Sequence, residues 1–112
     1  MKGYSTLTLN GEFRALYHRG RSAVHPAVVV YVRPNRQKVL RLGITTGKKL
    51  GGAVQRNRCR RILREAFRLL VPQMVGGWNI VCVARHRALT MKSQQMQAVL
   101  EKLLHELGVI PQ

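Results

Sequence analysis

Lys48 to Arg68 reads KKLGGAVQRNRCRRILREAFR. Eight of these 21 residues are Lys or Arg, and Glu65 is the only acid among them. Gly51 and Gly52 make a flexible turn, and the composition from Ala53 onward predicts a helix. At about 100° per residue, Cys59, Ile62, Leu63, Ala66, Phe67 and Leu70 gather on one side. Asn57, Arg60, Arg61, Arg64 and Arg68 gather on another. One face can therefore pack while the other holds guanidinium forks in water, about one helical turn apart. A merely soluble helix face mixes both signs of charge. Here like charges sit three and four residues apart, at a cost of a few tenths of a kcal/mol per pair, which a polyanion would relieve. Composition alone leaves DNA and RNA both open.

The rest of the chain points the same way. Its 112 residues suit one domain, 1–112, with a modest core. Twenty basic residues against four acidic ones give a formal charge of +16, and aspartate is absent. Such a field favours nucleic acid or an anionic membrane. No apolar run approaches the roughly 20 residues needed to span a bilayer, and no signal peptide is expected, so the chain reads as cytoplasmic. Cys59 and Cys82 are too few and too isolated for a disulfide scaffold or a Cys-rich metal site, and buried free thiols are expected.

Outward from the arginine helix, Val39 to Thr46 alternates Leu40, Leu42 and Ile44 with Arg41, Gly43 and Thr45, which predicts a half-buried strand. Ala27 to Val32 (AVVVYV) predicts another, started by Pro26. The turn RPNRQK (33–38) between them predicts an antiparallel hairpin. Before it, Asn10 can cap a short helix carrying Phe13, Leu16 and Tyr17 on one side, which Gly20 ends. Residues 1–8 read as a polar-leaning lead-in free to move. On the C-terminal side Pro72 should stop the arginine helix. Asn79 to Arg85 (NIVCVAR) follows as a strand after a turn at Gly76 and Gly77. Thr90 can cap a last helix with Met96, Val99, Leu100, Leu103, Leu104 and Leu107 at helical period, closed by Gly108. The class expected is α+β: a small two-layer sandwich, a mixed β-sheet covered by helices.

The arrangement of Lys48, Lys49, Gly51, Ala53, Val54, Arg56, Asn57, Arg58, Arg61, Arg64, Glu65, Phe67 and Arg68 resembles the signature of the bacterial ribonuclease P protein family. Phe13 and Tyr17 before Gly20, Tyr31 in the first strand, and Arg41 with Gly43 in the second fit it too. The resemblance runs from about Leu9 to Leu107. It implies a fold similar to a ribosomal-protein-like RNA-binding domain, with a left-handed strand–helix–strand crossover. It implies a subunit that binds the catalytic RNA of ribonuclease P, one protein to one RNA, and helps it remove the 5′ leader from precursor tRNA. The RNA then carries the chemistry and most of the magnesium, and no metal site or catalytic residue is expected in the protein. By the same resemblance, Lys48, Lys49, Arg56, Asn57, Arg58, Arg60, Arg61, Arg64 and Arg68 face the catalytic RNA. Phe13, Tyr17 and Tyr31 form the aromatic part of a leader cleft. The family commonly has asparagine where this chain has Gly52, and more basic residues before Phe13 than the single Lys2 here.

The residues are chemically suited to these roles. Single-stranded nucleic acid is held by a positive groove together with aromatic faces on which bases stack. Taken alone, Phe13 reads as a core residue ahead of a stacking platform, while Tyr17 and Tyr31 can sit at a cleft edge with wet hydroxyls. Arginines with Asn57 can make charge-assisted phosphate contacts, although Asn57 can also brace the helix start. Glu65 reads as an ion-pair partner. A protein-only nuclease commonly needs several acidic metal ligands or a base beside the phosphate. Glu12, Glu65, Glu101 and Glu106 are scattered, and so are His18, His25, His86 and His105. A ribosomal or RNA-chaperone-like binding module is the alternative that composition permits. A helix-turn-helix DNA reader lacks its first helix, because strands precede the arginine helix.

Overall fold

The computed structural model describes residues 3–111; Met1, Lys2 and Gln112, and with them the reading of Lys2, lie outside the described residues. The elements in chain order are β1 (Ser5–Thr6), α1 (Asn10–Arg19), β2 (Arg21–Val24), β3 (Val28–Pro34), β4 (Leu40–Thr45), α2 (Ala53–Leu70), β5 (Trp78–Ala84) and α3 (Ser93–Glu106). Short 3₁₀ turns occupy Lys48–Leu50, Val71–Gln73 and His86–Thr90. Together they form an α+β sandwich, a mixed sheet covered by helices, as expected.

The sheet order is β1-β4-β5-β3-β2. The expected hairpin between β3 and β4 does not form, because β5 lies between them. It runs antiparallel to β3, with Tyr31 opposite Val81, and parallel to β4, with Gly43 beside Val81. The reason is burial. Ile80, Val81 and Cys82 are all buried, and consecutive residues point to opposite faces, so β5 needs cover on both sides and takes the centre. β4, with Arg41, moves outward. The other edge of β3 is taken by β2, a short antiparallel strand that the sequence reading missed.

The lead-in expected to move is docked in its described part. Ser5 and Thr6 pair in parallel with Arg41 and Leu42, and Leu7 is buried. Tyr4 packs edge-on against Phe67, ring centroids 5.1 Å apart.

The main core lies between the sheet and α2 with α3. Cys59, Ile62, Leu63, Ala66, Phe67 and Leu70 are the buried residues of α2, the side its periodicity predicts. Burying the large ones, Ile62, Leu63, Phe67 and Leu70, contributes roughly 1.5–3 kcal/mol each, against tenths for each like-charge pair on the outer face. Packing wins, and the arginines are carried as passengers. On the opposite face α1 lies over β3 and β5, closing a smaller cluster of Leu7, Leu16 and Val81, with Phe13, Tyr31 and Val83 at its border.

Two helix boundaries differ from expectation, at Asn10 and Thr90. Asn10 is the first helical residue, with Leu9 at the cap position. The turn is closed by backbone bonds from Glu12 and Phe13 to the Leu9 carbonyl (3.0 and 3.3 Å), so no side-chain cap forms. Gly20 does end α1, but in extended backbone. Its absent side chain matters for space, since a Cβ there would lie 2.5 Å from the Leu16 carbonyl oxygen. Thr90 does not cap α3. It ends a 3₁₀ turn, its hydroxyl donating to the Arg87 carbonyl (3.3 Å), and α3 starts after Lys92, whose N–H donates to Gln95 Oε1 (2.9 Å).

Candidate nucleic-acid interface

The outer face of α2 sorts its cations by partner. Arg61 and Arg64 are exposed, and among the described residues neither pairs with a carboxylate. Arg60 donates to Asn57 Oδ1 (3.0 Å), so Asn57 braces a guanidinium on its own helix. Arg68 grips Glu65 through Nη2 (2.7 Å) and Nε (3.3 Å). That hydrogen bond holds the Glu65 carboxyl below its ordinary range, against a smaller opposing effect of desolvation, and raises Arg68 in turn. Arg56 is half-buried, with its Nε buried and unpartnered among the described residues.

Arg58 is engaged within the fold. Its Nη1 donates to the Leu89 carbonyl (2.9 Å) and its Nη2 to the Met91 carbonyl (2.8 Å). Both arms of the fork are spent tying α2 to the segment before α3. Those carbonyls are held in a turn, which also explains why α3 begins later than Thr90. Arg58 thus braces α2 against the segment before α3.

Lys48 and Lys49 stand exposed on their 3₁₀ turn, whose third residue, Leu50, is buried as an anchor. The turn passes into α2 through Gly51, at φ 126, and Gly52. The N–H of Gly52 donates to Gln55 Oε1 (2.7 Å). Gln55 thus supplies one half of a capping box, and the other half is missing because glycine has no side chain to give it.

The aromatic residues meet on the face under α1. Tyr17 and Tyr31 contact edge to face, ring centroids 5.0 Å apart and planes at 83°. The Tyr17 hydroxyl lies 3.4 Å from Thr45 Oγ1, and the residue is 40% exposed, leaving ring surface open. Phe13 is half-buried directly over Gly43, where a Cβ would come within 2.6 Å of its ring. Its ring therefore floors the cleft as part of the small core. Glu12 forms a two-armed ion pair with Arg41 that pins α1 to β4, Nη2 to Oε1 being 3.1 Å.

The two surfaces share a border that the sequence reading missed. A cavity of about 190 Å³ at the β1–β4 edge has Tyr4, Thr6 and Phe13 on its walls together with Arg60 and Arg64. Helical periodicity could not reveal this, since it depends on β1 docking beside β4. Only the apolar Leu7 and Tyr4 within a polar lead-in hinted at it. Among the described residues no three His, Cys, Asp or Glu side chains gather as a metal-binding group.

The ribonuclease P family model matches residues 1–108. The chain belongs to the ribonuclease P protein family. It is 40% identical over 111 residues to the ribonuclease P protein component of Roseiflexus sp. (strain RS-1), covering 98% of this chain and 91% of that one. The corresponding protein of Dehalococcoides mccartyi (strain CBDB1) is 36% identical over 110 residues, covering 98% and 90%. The fold is similar to that of Staphylococcus aureus RNase P protein, with a TM-score of 0.84 at 34% identity, covering 95% of this chain and 97% of that one. It is also similar to the RNase P protein from Thermotoga maritima, with a TM-score of 0.78 at 29% identity and coverage of 96% and 99%. The arginine helix and the tyrosine cleft are thus parts of a ribonuclease P protein.

Proposed function

We propose that this ribonuclease P protein assists a catalytic RNA in removing the 5′ leader of precursor tRNA, positioning RNA on two surfaces without cutting it. The observation that carries the reading is the shared border of those surfaces. Phe13, from the tyrosine cleft, and Arg60 and Arg64, from the arginine helix, line one cavity. A single strand lying over Tyr17 and Tyr31 would thus run beside a helix whose free guanidinium groups suit phosphate.

The division of labour follows from the side chains. Stacking on tyrosine accepts any base, which suits a leader of variable sequence. Arg61 and Arg64, with Lys48, Lys49, Arg56, Arg60 and Arg68 beside them, neutralise phosphates of the catalytic RNA through charge-assisted contacts. The residues do not fit a magnesium site of the protein's own. Mg²⁺ takes carboxylate oxygens, whereas Glu12 and Glu65 are engaged by Arg41 and Arg68, and Glu101 and Glu106 belong to no group of three His, Cys, Asp or Glu side chains among the described residues. In this reading the RNA holds the magnesium of the holoenzyme, in a cytoplasmic complex of one protein and one RNA.

The test is precursor tRNA cleavage by the protein alone, its cognate RNA alone, and the two combined, across magnesium concentration. Accurate 5′ processing by the combination at low magnesium, with none from the protein alone, is expected. Robust metal-dependent cleavage by RNA-free protein would overturn the proposal.

A further inference from the structure

We infer that the end of the sheet around Trp78 is a second contact for single-stranded RNA, separate from the tyrosine cleft. This rests on the protein being an RNA binder, and names a further surface for that binding.

Trp78 opens β5 and pairs with Pro34 on one side and Leu40 on the other. Two residues on, Ile80 is buried in the core under α2 and α3, and Trp78 packs against that same core. Tyr31 borders the small cluster on the opposite face, under α1. A base on Trp78 is therefore not a base in the tyrosine cleft.

The surface is open and firmly built. A groove of about 540 Å³ runs between Trp78, Pro34, Lys38 and Val75. The indole N–H donates to the Val75 carbonyl (2.9 Å), so the ring's one polar group is spent within the protein and what it presents outward is π surface. The two loops that form the groove abut, since a Cβ on Gly77 would lie 2.4 Å from Lys38 Cα. Asn35 locks them by donating to the Val39 carbonyl and to Asn79 Oδ1, each at 2.9 Å. Lys38 is held at φ 57, the only described residue other than glycine with positive φ. Such backbone costs energy and persists where the surroundings over-determine it, often where a side chain is aimed for use.

Charge selects the occupant. Arg33, Arg36 and Lys38 fall within six residues, and the sequence has no acid between Glu12 and Glu65 or between Glu65 and Glu101. A rigid aromatic face flanked by unopposed cations is the pairing that holds bases and phosphates of a single strand.

Trp78 is the chain's single tryptophan, so its fluorescence reports this surface alone. The full chain is titrated with short oligouridylate and oligoadenylate, with binding followed independently by anisotropy of the labelled RNA. Quenching at saturation is expected in the wild type and equally in the Tyr17→Ala, Tyr31→Ala double variant. Arg36→Ala with Lys38→Ala, both exposed positions, should weaken the quenching isotherm roughly fivefold or more while leaving the circular dichroism and melting unchanged. Unchanged fluorescence when anisotropy shows saturation would overturn the inference, as would quenching that vanishes with the tyrosines. Equal quenching by polyglutamate would assign the groove to an acidic peptide and also overturn it. Repeating the titration with the catalytic RNA and with precursor tRNA identifies the source: quenching by either supports the contact, and by neither refutes it. If tRNA processing succeeds while Trp78 stays silent, only this inference falls.

Discussion

Glu12 and Arg41 join α1 to β4 through a two-armed ion pair whose side chains are each only 21% exposed. It is the one carboxylate–guanidinium contact among the described residues that links two elements distant in sequence. It sets where the Phe13 and Tyr17 side of α1 lies above the sheet. Glu12→Ala should therefore loosen the cleft as well as the fold. Charge-assisted bonds at partly exposed positions contribute about 1–2 kcal/mol, and urea unfolding should register a loss of that order. Precursor tRNA affinity should fall along with it, while Glu12→Gln, which keeps an acceptor, recovers part of both.

The tyrosine pair gives a selective test of the cleft. Tyr17→Ala with Tyr31→Ala should weaken precursor tRNA binding by about 1–3 kcal/mol for each base that stacks. Mature tRNA binding should change far less, since only the precursor carries a leader. Equal losses for both ligands in a filter-binding assay would reject the cleft as the leader site.

The arginines of α2 should separate into two classes. Arg61→Ala with Arg64→Ala removes exposed guanidinium groups, so holoenzyme assembly should weaken and the slope of log affinity against log salt should become shallower, by about 0.7–0.9 per lost phosphate contact. Arg58→Ala instead orphans the Leu89 and Met91 carbonyls. It should cost roughly 2–3 kcal/mol in thermal or urea unfolding and leave the salt slope unchanged.

The loop before α2 predicts opposite effects at adjacent glycines. Gly51 sits at φ 126, and a Cβ there would lie 2.0 Å from Gln55 Oε1. Gly51→Ala should therefore cost about 1–3 kcal/mol through backbone strain, besides displacing the Gln55 bond. At Gly52 the backbone is at φ −77 with open space, the nearest atom to a Cβ beyond its chain neighbours being Gln55 Oε1 at 3.9 Å. Gly52→Asn can supply the missing side-chain cap and should raise stability by a few tenths of a kcal/mol. Paired melting curves check both signs.

The thiols report on packing. Burial pushes the Cys82 thiol up to about 12 and raises Cys59 as well, with Arg58 partly opposing the latter. In the unfolded chain both ionise at about 8.5. Below that pH their burial as neutral thiols carries no ionisation penalty. As pH rises from there toward 12, the unfolded state gains thiolate that the fold refuses, and stability falls. Neither thiol should react with iodoacetamide in the folded protein at mildly alkaline pH, and both should react in denaturant. Labelling of Cys82 without unfolding would contradict its burial.

What the sequence by itself determined is local and periodic. The division of α2 into a buried side at Cys59, Ile62, Leu63, Ala66, Phe67 and Leu70 and a basic side follows from a helical repeat that any reader of the residues can draw. The ends of α2 at Gly52 and before Pro72, and the close of α3 before Gly108, follow from backbone chemistry carried by single residues. The identities of the basic and aromatic residues also pointed to RNA and to the family.

Tertiary structure alone decided which elements are neighbours. Strand pairing is satisfied by any partner with free edge groups, so nothing local in β3 or β4 forbids the hairpin. It was the two-sided burial of Ile80, Val81 and Cys82 that placed β5 between them. The same long-range choice docked β1 and brought Tyr4 and Thr6 to the border between cleft and arginine face. It also gave Arg58 its carbonyls, turning one arginine of a uniform-looking row into a brace. A guanidinium bonds whatever acceptor the fold presents, and sequence spacing on its own helix carries no record of acceptors on another element.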